Sequence, residues 1–469
     1  MTAPPYALPL APAAFDRALR TGHGRAWQHA ARHGVADRID SVVNACLNNL
    51  AYDPQCDVDR AAWLLKIVEA APERERVVTR VLAEVDEPAS GINAFWHRVQ
   101  RCDLLARLAK RGYADAREAL YRAFGKSDDS AELIGCAEII GLDHSDGLIW
   151  ICTRLGEMLR DEPDAALGDD PLTYYDEQHG DGAATRLLEF VGRSNEAVRR
   201  YLDSLAQRSD VDRSFVGSAP ARGYRNPEYV RLAADAPERA RAMWNKRTAA
   251  DVVAWVEETP DDLGSEVPSG AWLGSWGWRA SESELAAIAE RLRAEYEPVR
   301  ILRYLRVFQR RRIPVFDEAL IALTKHDHHH IRWVSYQVLS NVSNVHVRAL
   351  ALAALDRDAI LEGSIELFRE NWAPGDYLTI QRALFLPDDA DCTHSVAQDL
   401  LAVIEMHRTP DAVDLLLYVY EHSPCAPCRR QAVALLREVN AAPVWLIDEY
   451  GYDAGTVDAD ESGERTGVR

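Results

Sequence analysis

Apolar residues recur at three- and four-residue steps along most of the chain. Leu104, Leu105 and Leu108 form one such stripe, and Leu415, Leu416 and Val419 another. That spacing gathers side chains on one face of an α-helix. Helix breakers sit between the stripes, among them Gly112, Gly125, Pro268, Pro298, Pro314, Pro374, Pro387 and Pro410. Strand-like alternation is nearly absent. The pattern predicts an all-α protein, a long run of short antiparallel helices of about ten to fifteen residues.

A frame repeats along this run. Ile331-Arg332 and Val347-Arg348 each follow a histidine, His330 or His346, and each leads after six residues to a leucine, Leu339 or Leu355. Looser copies run from Val299-Arg300 to Val307, Ala116-Arg117 to Phe124, Val198-Arg199 to Leu205 and Cys428-Arg429 to Leu436. Each predicts a helix that opens on a small or apolar residue and an arginine. The frame resembles that of the HEAT-repeat family, where a helix opens with a polar residue, then valine-arginine, then an apolar stripe. The resemblance is clearest over 285–440, weaker over 100–210, and reduced to a bare helical pattern over 13–100. The chain as a whole is similar to bacterial HEAT-like repeat proteins. The resemblance implies a right-handed α-solenoid of stacked antiparallel helix pairs, since one pair cannot cover its own apolar face.

Three stretches interrupt the pattern and read as loops. Residues 161–183 carry eight acids and no lysine or arginine, which predicts an exposed acidic loop. Residues 209–225 read as a second loop. Residues 256–279 hold a third, glycine-rich and ending in Trp272, Trp276 and Trp278. The expected division is N-terminal helical repeats over 1–160, interrupted repeats over 161–280, HEAT-like repeats over 281–453, and a disordered tail over 454–469.

Composition narrows the class. The chain has 469 residues, 47% of them hydrophobic, a fraction typical of folded domains. No run of 18 apolar residues predicts a membrane span, and the N-terminus lacks the basic and apolar regions of a signal peptide. Eight thinly spread cysteines suit a reducing cytoplasm rather than a disulfide framework. The net charge of −20 repels phosphate backbones and suits a basic protein partner.

Four groups of residues could carry chemistry. The stretch Lys325-His326-Asp327-His328-His329-His330 holds four histidines. Helical neighbours point about 100° apart, so His328, His329 and His330 cannot converge on one ion from a helix, and no HExxH accompanies the His326/His330 pair. They read as solvated residues opening a helix. Cys425-Ala-Pro-Cys428 at a helix start is open to a structural, a metal-binding or a redox reading, with Cys392, His394 and His422 as further possible ligands. The repeat frame puts Cys428 at the position of Ile331 and Val347, so it is expected to pack as a small hydrophobe and hold no metal.

The other two groups supply the predicted binding residues. Arg303, Arg306 and Arg310 form a basic stripe beside the apolar stripe Leu302, Leu305 and Phe308. Arginine forks grip carboxylate or phosphate; the competing reading pairs these residues with acids such as Glu282, Glu284 or the 161–183 stretch. Trp272, Trp276 and Trp278 could anchor a partner or plug the core. Ser281 with Glu284 matches a capping box and starts a helix.

The expected function is a non-catalytic protein-interaction scaffold with an extended groove, needing no cofactor, binding a protein or peptide, and specifically inhibiting a basic partner in the manner of an immunity protein. The alternative is a HEAT-like enzyme acting on nucleic acid, of the alkylpurine DNA glycosylase type, built on the arginine stripe and the tryptophans. No serine-histidine-acid order, phosphate loop or paired-carboxylate motif supports another chemistry.

Overall fold

The computed structural model describes residues 4–56, 60–91, 93–125, 133–165, 167–207, 247–260, 262–264, 269–355, 363–384 and 389–456. Among these residues the secondary structure is helical and no strand occurs. The expected loop at 209–225 lies outside them.

The chain divides into two compact units, residues 1–226 with 444–469, and residues 227–443. In the first, the helices run α1 Pro12–Thr21, α2 Gly24–His33, α3 Ile39–Leu47, α4 Arg60–Ala70, α5 Arg74–Glu84, α6 Ala94–Lys110, α7 Ala114–Gly125, α8 Cys136–Asp161, α9 Asp170–His179, α10 Ala183–Gly192 and α11 Glu196–Gln207. In the second they are α12 Ala249–Glu258, α13 Trp272–Arg279, α14 Glu282–Ala294, α15 Pro298–Val307, α16 Ala319–Leu323, α17 His329–Ser340, α18 Val345–Leu355, a 3-10 turn Ile365–Phe368, α19 Asp376–Ala383, α20 Ala390–Met406, α21 Val413–His422 and α22 Ala426–Glu438. The last helix, α23 Val444–Tyr450, belongs to the first unit.

Consecutive helices pack on one another, as α6 on α7, α10 on α11 and α21 on α22 do. This buries stripes that a single helix would leave wet. In the first unit one continuous apolar core runs from Leu10 to Tyr201.

The repeat frame keeps its geometry at every copy. Val299, Ile331, Val347, Ala116, Val198 and Cys428 all lie in the first turns of helices and all are buried. Their downstream partners Leu339, Leu355, Val307, Phe124 and Leu436 are buried too, and Leu205 packs partly buried against the core. The frame's arginines bind main-chain carbonyls or acids. Arg332 donates to the His326 and Asp327 carbonyls at 2.8 and 2.6 Å. Arg348 grips Asp376 at 2.7 and 2.9 Å, and Arg117 reaches Asp143 at 2.8 Å.

Two of the expected loops each contain a helix. Ten residues of the acidic stretch form α9, with Pro171 in its first turn. Asp176 then accepts the backbone N–H of Gly182 and of Ala184 at 2.9 and 2.6 Å and caps α10. The tryptophan stretch forms α13, and its glycines serve packing rather than a turn. A Cβ on Gly277 would lie 1.9 Å from the Val307 carbonyl oxygen, so only glycine lets α13 approach α15 so closely. The predicted capping box opens α14: Ser281 accepts from the Glu284 N–H and Glu284 from the Ser281 N–H.

The end of the chain closes the first unit. α23 packs on α2, where a Cβ on Gly24 would lie 2.0 Å from the Glu449 carbonyl oxygen. Trp63 Nε1 donates to the Tyr452 carbonyl at 2.8 Å, and the Ala454 N–H to that of Gly22 at 2.9 Å. Ala454–Thr456 form a short 3-10 turn; the rest of the expected disordered tail lies outside the described residues.

Candidate functional site

The predicted arginine stripe turns inward, contrary to the expectation of a solvent-facing basic face. α15 is buried around most of its circumference: Val299, Ile301, Leu302, Tyr304, Leu305 and Val307 are all covered. Arg303 is 0% exposed and Arg306 8%. Arg303 Nη1 donates to the Val256 and Thr259 carbonyls at 3.3 and 2.8 Å. Its Nη2 donates to the Pro260 carbonyl at 2.6 Å, Asp262 Oδ1 at 2.8 Å and Ser269 Oγ at 3.3 Å. Arg306 donates to the Ser269 carbonyl. A buried guanidinium needs this density of acceptors. The knot ties the segment after α12 to α15 and keeps both side chains away from solvent. Burial acts to raise the Asp262 pKa, but the Ser269 N–H and hydroxyl and Arg303 outweigh it and hold the carboxyl below its ordinary range. Arg310 alone of the three lies exposed, beyond the end of α15.

The tryptophans divide in the same way. Trp276 is buried and donates to the Arg247 carbonyl at 2.9 Å. Trp272 is half-buried, edge-on to Trp255 at 5.1 Å, with the Arg247 guanidinium 4.5 Å above it. Only Trp278 stands out, 59% exposed. The six predicted binding residues therefore do not form one open site.

Inward arginines recur elsewhere, two of them, Arg60 and Arg101, at positions the repeat frame does not mark. Arg60 donates to the Leu19 and Arg20 carbonyls, the last turn of α1. Arg101 donates to the Leu47 carbonyl at 2.7 Å and to those of Val85 and Glu87. Arg429 donates to the Ser423 and Pro424 carbonyls after α21. The last carbonyls of a helix lack intrahelical donors and carry its negative end, so a cation there satisfies both. The sequence signal for these residues was an arginine in the register of an apolar stripe: Arg303 lies four residues from both Val299 and Val307.

The histidine stretch opens α17 as predicted. His328 precedes the first helical residue, and its N–H donates to His326 Nδ1 at 3.0 Å. His329 and His330 follow, their ring centroids 3.9 Å apart.

The cysteine pair behaves differently. Cys425 precedes α22 and Cys428 lies in its first turn, with Pro427 between them. Both are buried. The neighbouring α20 packs on α22 and brings His394 from its own first turns. Cys428 Sγ lies 3.7 Å from His394 Nδ1. The ligand atoms of His394, Cys425 and Cys428 all lie within 4.8 Å of one another. The adjacent Cys428 thiol, together with burial, pushes the Cys425 thiol well above its ordinary pKa. Of the further ligands considered from sequence, His394 joins this set, whereas Cys392 and His422 do not. Cys428 thus holds the buried position the frame assigns it and also faces two potential ligands.

A small apolar pocket of about 100 Å³ opens in the second unit between Leu292, Ile301, Ile313, Leu320 and Leu323. The Arg293–Asp317 ion pair at 2.9 Å borders it, and Val315 on its wall is 56% exposed. Drug-sized ligands need several times this volume, so it fits one apolar side chain.

These features define an all-α protein among the described residues, with several arginines satisfying carbonyls at helix ends. Among the described residues no helix is long and apolar enough to cross a membrane. No family model, no curated protein and no solved structure matches the chain.

Proposed function

We propose that the chain is a HEAT-like helical-repeat scaffold without catalytic activity, which binds and inhibits a basic protein partner. The observation that carries the reading is the inward turn of Arg303 and Arg306. They were the strongest candidates for a basic face on a chain of net charge −20, and they bind the chain's own carbonyls and Asp262 instead. The field of a chain with that net charge steers a basic partner. The α-solenoid geometry is part of this proposal, supported by the buried small or apolar residue at each copy of the frame. The pocket beside Val315 offers a place for one apolar anchor of the partner. The glycosylase alternative loses three of its six groups to the interior, since Arg303, Arg306 and Trp276 are buried.

The test has two arms. Affinity capture of the full chain from its native host, followed by binding titrations at low and high salt, should give a basic partner whose affinity falls steeply with salt. Base release from alkylated DNA, or a partner bound with equal affinity at both salt concentrations, would overturn the reading.

A further inference from the structure

We propose that His394, Cys425 and Cys428 form a binding site for a zinc ion. Two thiols and an imidazole are the donors that zinc and other thiophilic ions select. The geometry fits before any ion is added. Ligands at about 2.3 Å for sulfur and about 2.0 Å for nitrogen on a tetrahedral ion lie roughly 3.6 Å apart. Cys428 Sγ and His394 Nδ1 are separated by 3.7 Å, and the third ligand atom falls within 4.8 Å of both.

The charge balance of the bound state suits a buried site. Zinc replaces one proton on each thiol, so two thiolates cancel the charge of the ion and the buried unit is neutral. Cys425 and Cys428 sit at the N-terminus of α22, which runs to Glu438, and His394 lies in the first turns of α20. Both helices present their positive ends here, where thiolates are stabilised. Pro427 at the start of α22 fixes the backbone of the cysteine pair. His394 is the half-buried member of the set, so the fourth coordination position falls to a solvent molecule on its side. This site stands apart from the proposed interaction function, since neither reading requires the other.

Reduced, metal-stripped full-length chain titrated with cobalt(II) as a reporter, then with zinc, tests the assignment. The expected result is one equivalent of cobalt per chain, with thiolate-to-cobalt charge-transfer absorption that zinc displaces. Cys425→Ser and Cys428→Ser should abolish that absorption, and His394→Gln should weaken binding at least about tenfold, the usual effect of losing a metal-site contact. Cys56→Ser, at the exposed thiol of the first unit, should change nothing. The buried serine variants could unfold, so wild-type protein supplies a second measurement: zinc should protect Cys425 and Cys428 from alkylation and leave Cys56 reactive. Absence of thiolate absorption in the reduced wild type, or alkylation of both cysteines at the same rate with and without zinc, overturns the site. So does a stoichiometric Cys425–Cys428 disulfide in chain acid-quenched directly from cells, which would make the pair redox-active instead.

Discussion

Glu449 is 0% exposed and accepts Arg25 Nε at 2.7 Å across 424 residues of sequence. The pair joins the last helix of the chain to the second. His23 Nδ1 lies 3.6 Å from the same carboxylate, and the Arg25 guanidinium sits 4.3 Å over the Tyr6 ring. Removing one member of a buried pair strands the other charge and costs about 3–5 kcal/mol. Glu449→Ala should lower stability by that amount, and Arg25→Ala similarly. The double variant should lose less than the sum, because the second change strands nothing new. Urea unfolding of all three measures the coupling; a loss under about 0.5 kcal/mol in Glu449→Ala would show the closure to be unimportant.

Arg303 and Arg310 should part ways under the same substitution. Arg303→Gln leaves the Thr259 and Pro260 carbonyls without their guanidinium donor and Asp262 without its ion-pair partner, and a loss of about 3–5 kcal/mol is expected. Arg310→Gln changes an exposed side chain and should stay within about 0.5 kcal/mol of wild type. Neither should change partner binding in the folded protein. Thermal unfolding beside a binding assay decides; a stable Arg303→Gln variant that loses its partner would return the stripe to a recognition role.

Leu339 is 0% exposed at the end of the frame that Ile331 opens. Leu339→Ala should cost about 2–5 kcal/mol, the range for a truncated buried leucine. Trp333, on the same helix but 40% exposed, should cost distinctly less when replaced by alanine. Equal losses would mean that the stripe of α17 had been assigned to the wrong face.

The helical class and the frame were legible because a 3.6-residue period survives in any single stretch of sequence. The face of Arg303 was not read correctly, although its spacing from Val299 and Val307 placed it on the buried side. Charge suggested solvent, and the acceptors that make burial tolerable come from Val256 to Ser269, far off in the chain. Glycine usually marks turns, so the sequence predicts a loop where α13 lies; Gly274 and Gly277 instead admit α15, a contact no local pattern announces. The Cys425–Cys428 pair was visible, yet its closeness to His394 depends on how α20 packs against α22. The return of α23 to α2 left no local signal at all.

Two histidines give the first unit an acid-sensitive margin. His29 Nδ1 accepts the Leu10 N–H at 3.0 Å, and His97 Nδ1 accepts the Asn49 N–H at 2.9 Å. Burial lowers the pKa of both, helped by His33 and Arg38 at His29 and by Arg101 at His97. Protonation at Nδ1 would also leave each backbone N–H without its acceptor, a cost of about 1–3 kcal/mol. The folded values lie below the ordinary imidazole value of about 6.5, so between the two the unfolded chain binds protons that the folded chain does not. Stability from these residues is therefore complete above about pH 6.5 and is lost as pH falls through that window. Wild type should exceed the His29→Gln, His97→Gln double variant in stability near neutral pH, and the gap should shrink on acidification, with a limiting slope of about 1.4 kcal/mol per pH unit for each histidine. Comparing the two proteins cancels the shared titration of the carboxylates. Urea midpoints for both across the weakly acidic range measure the gap, and a gap independent of pH would show that neither imidazole is held neutral by the fold.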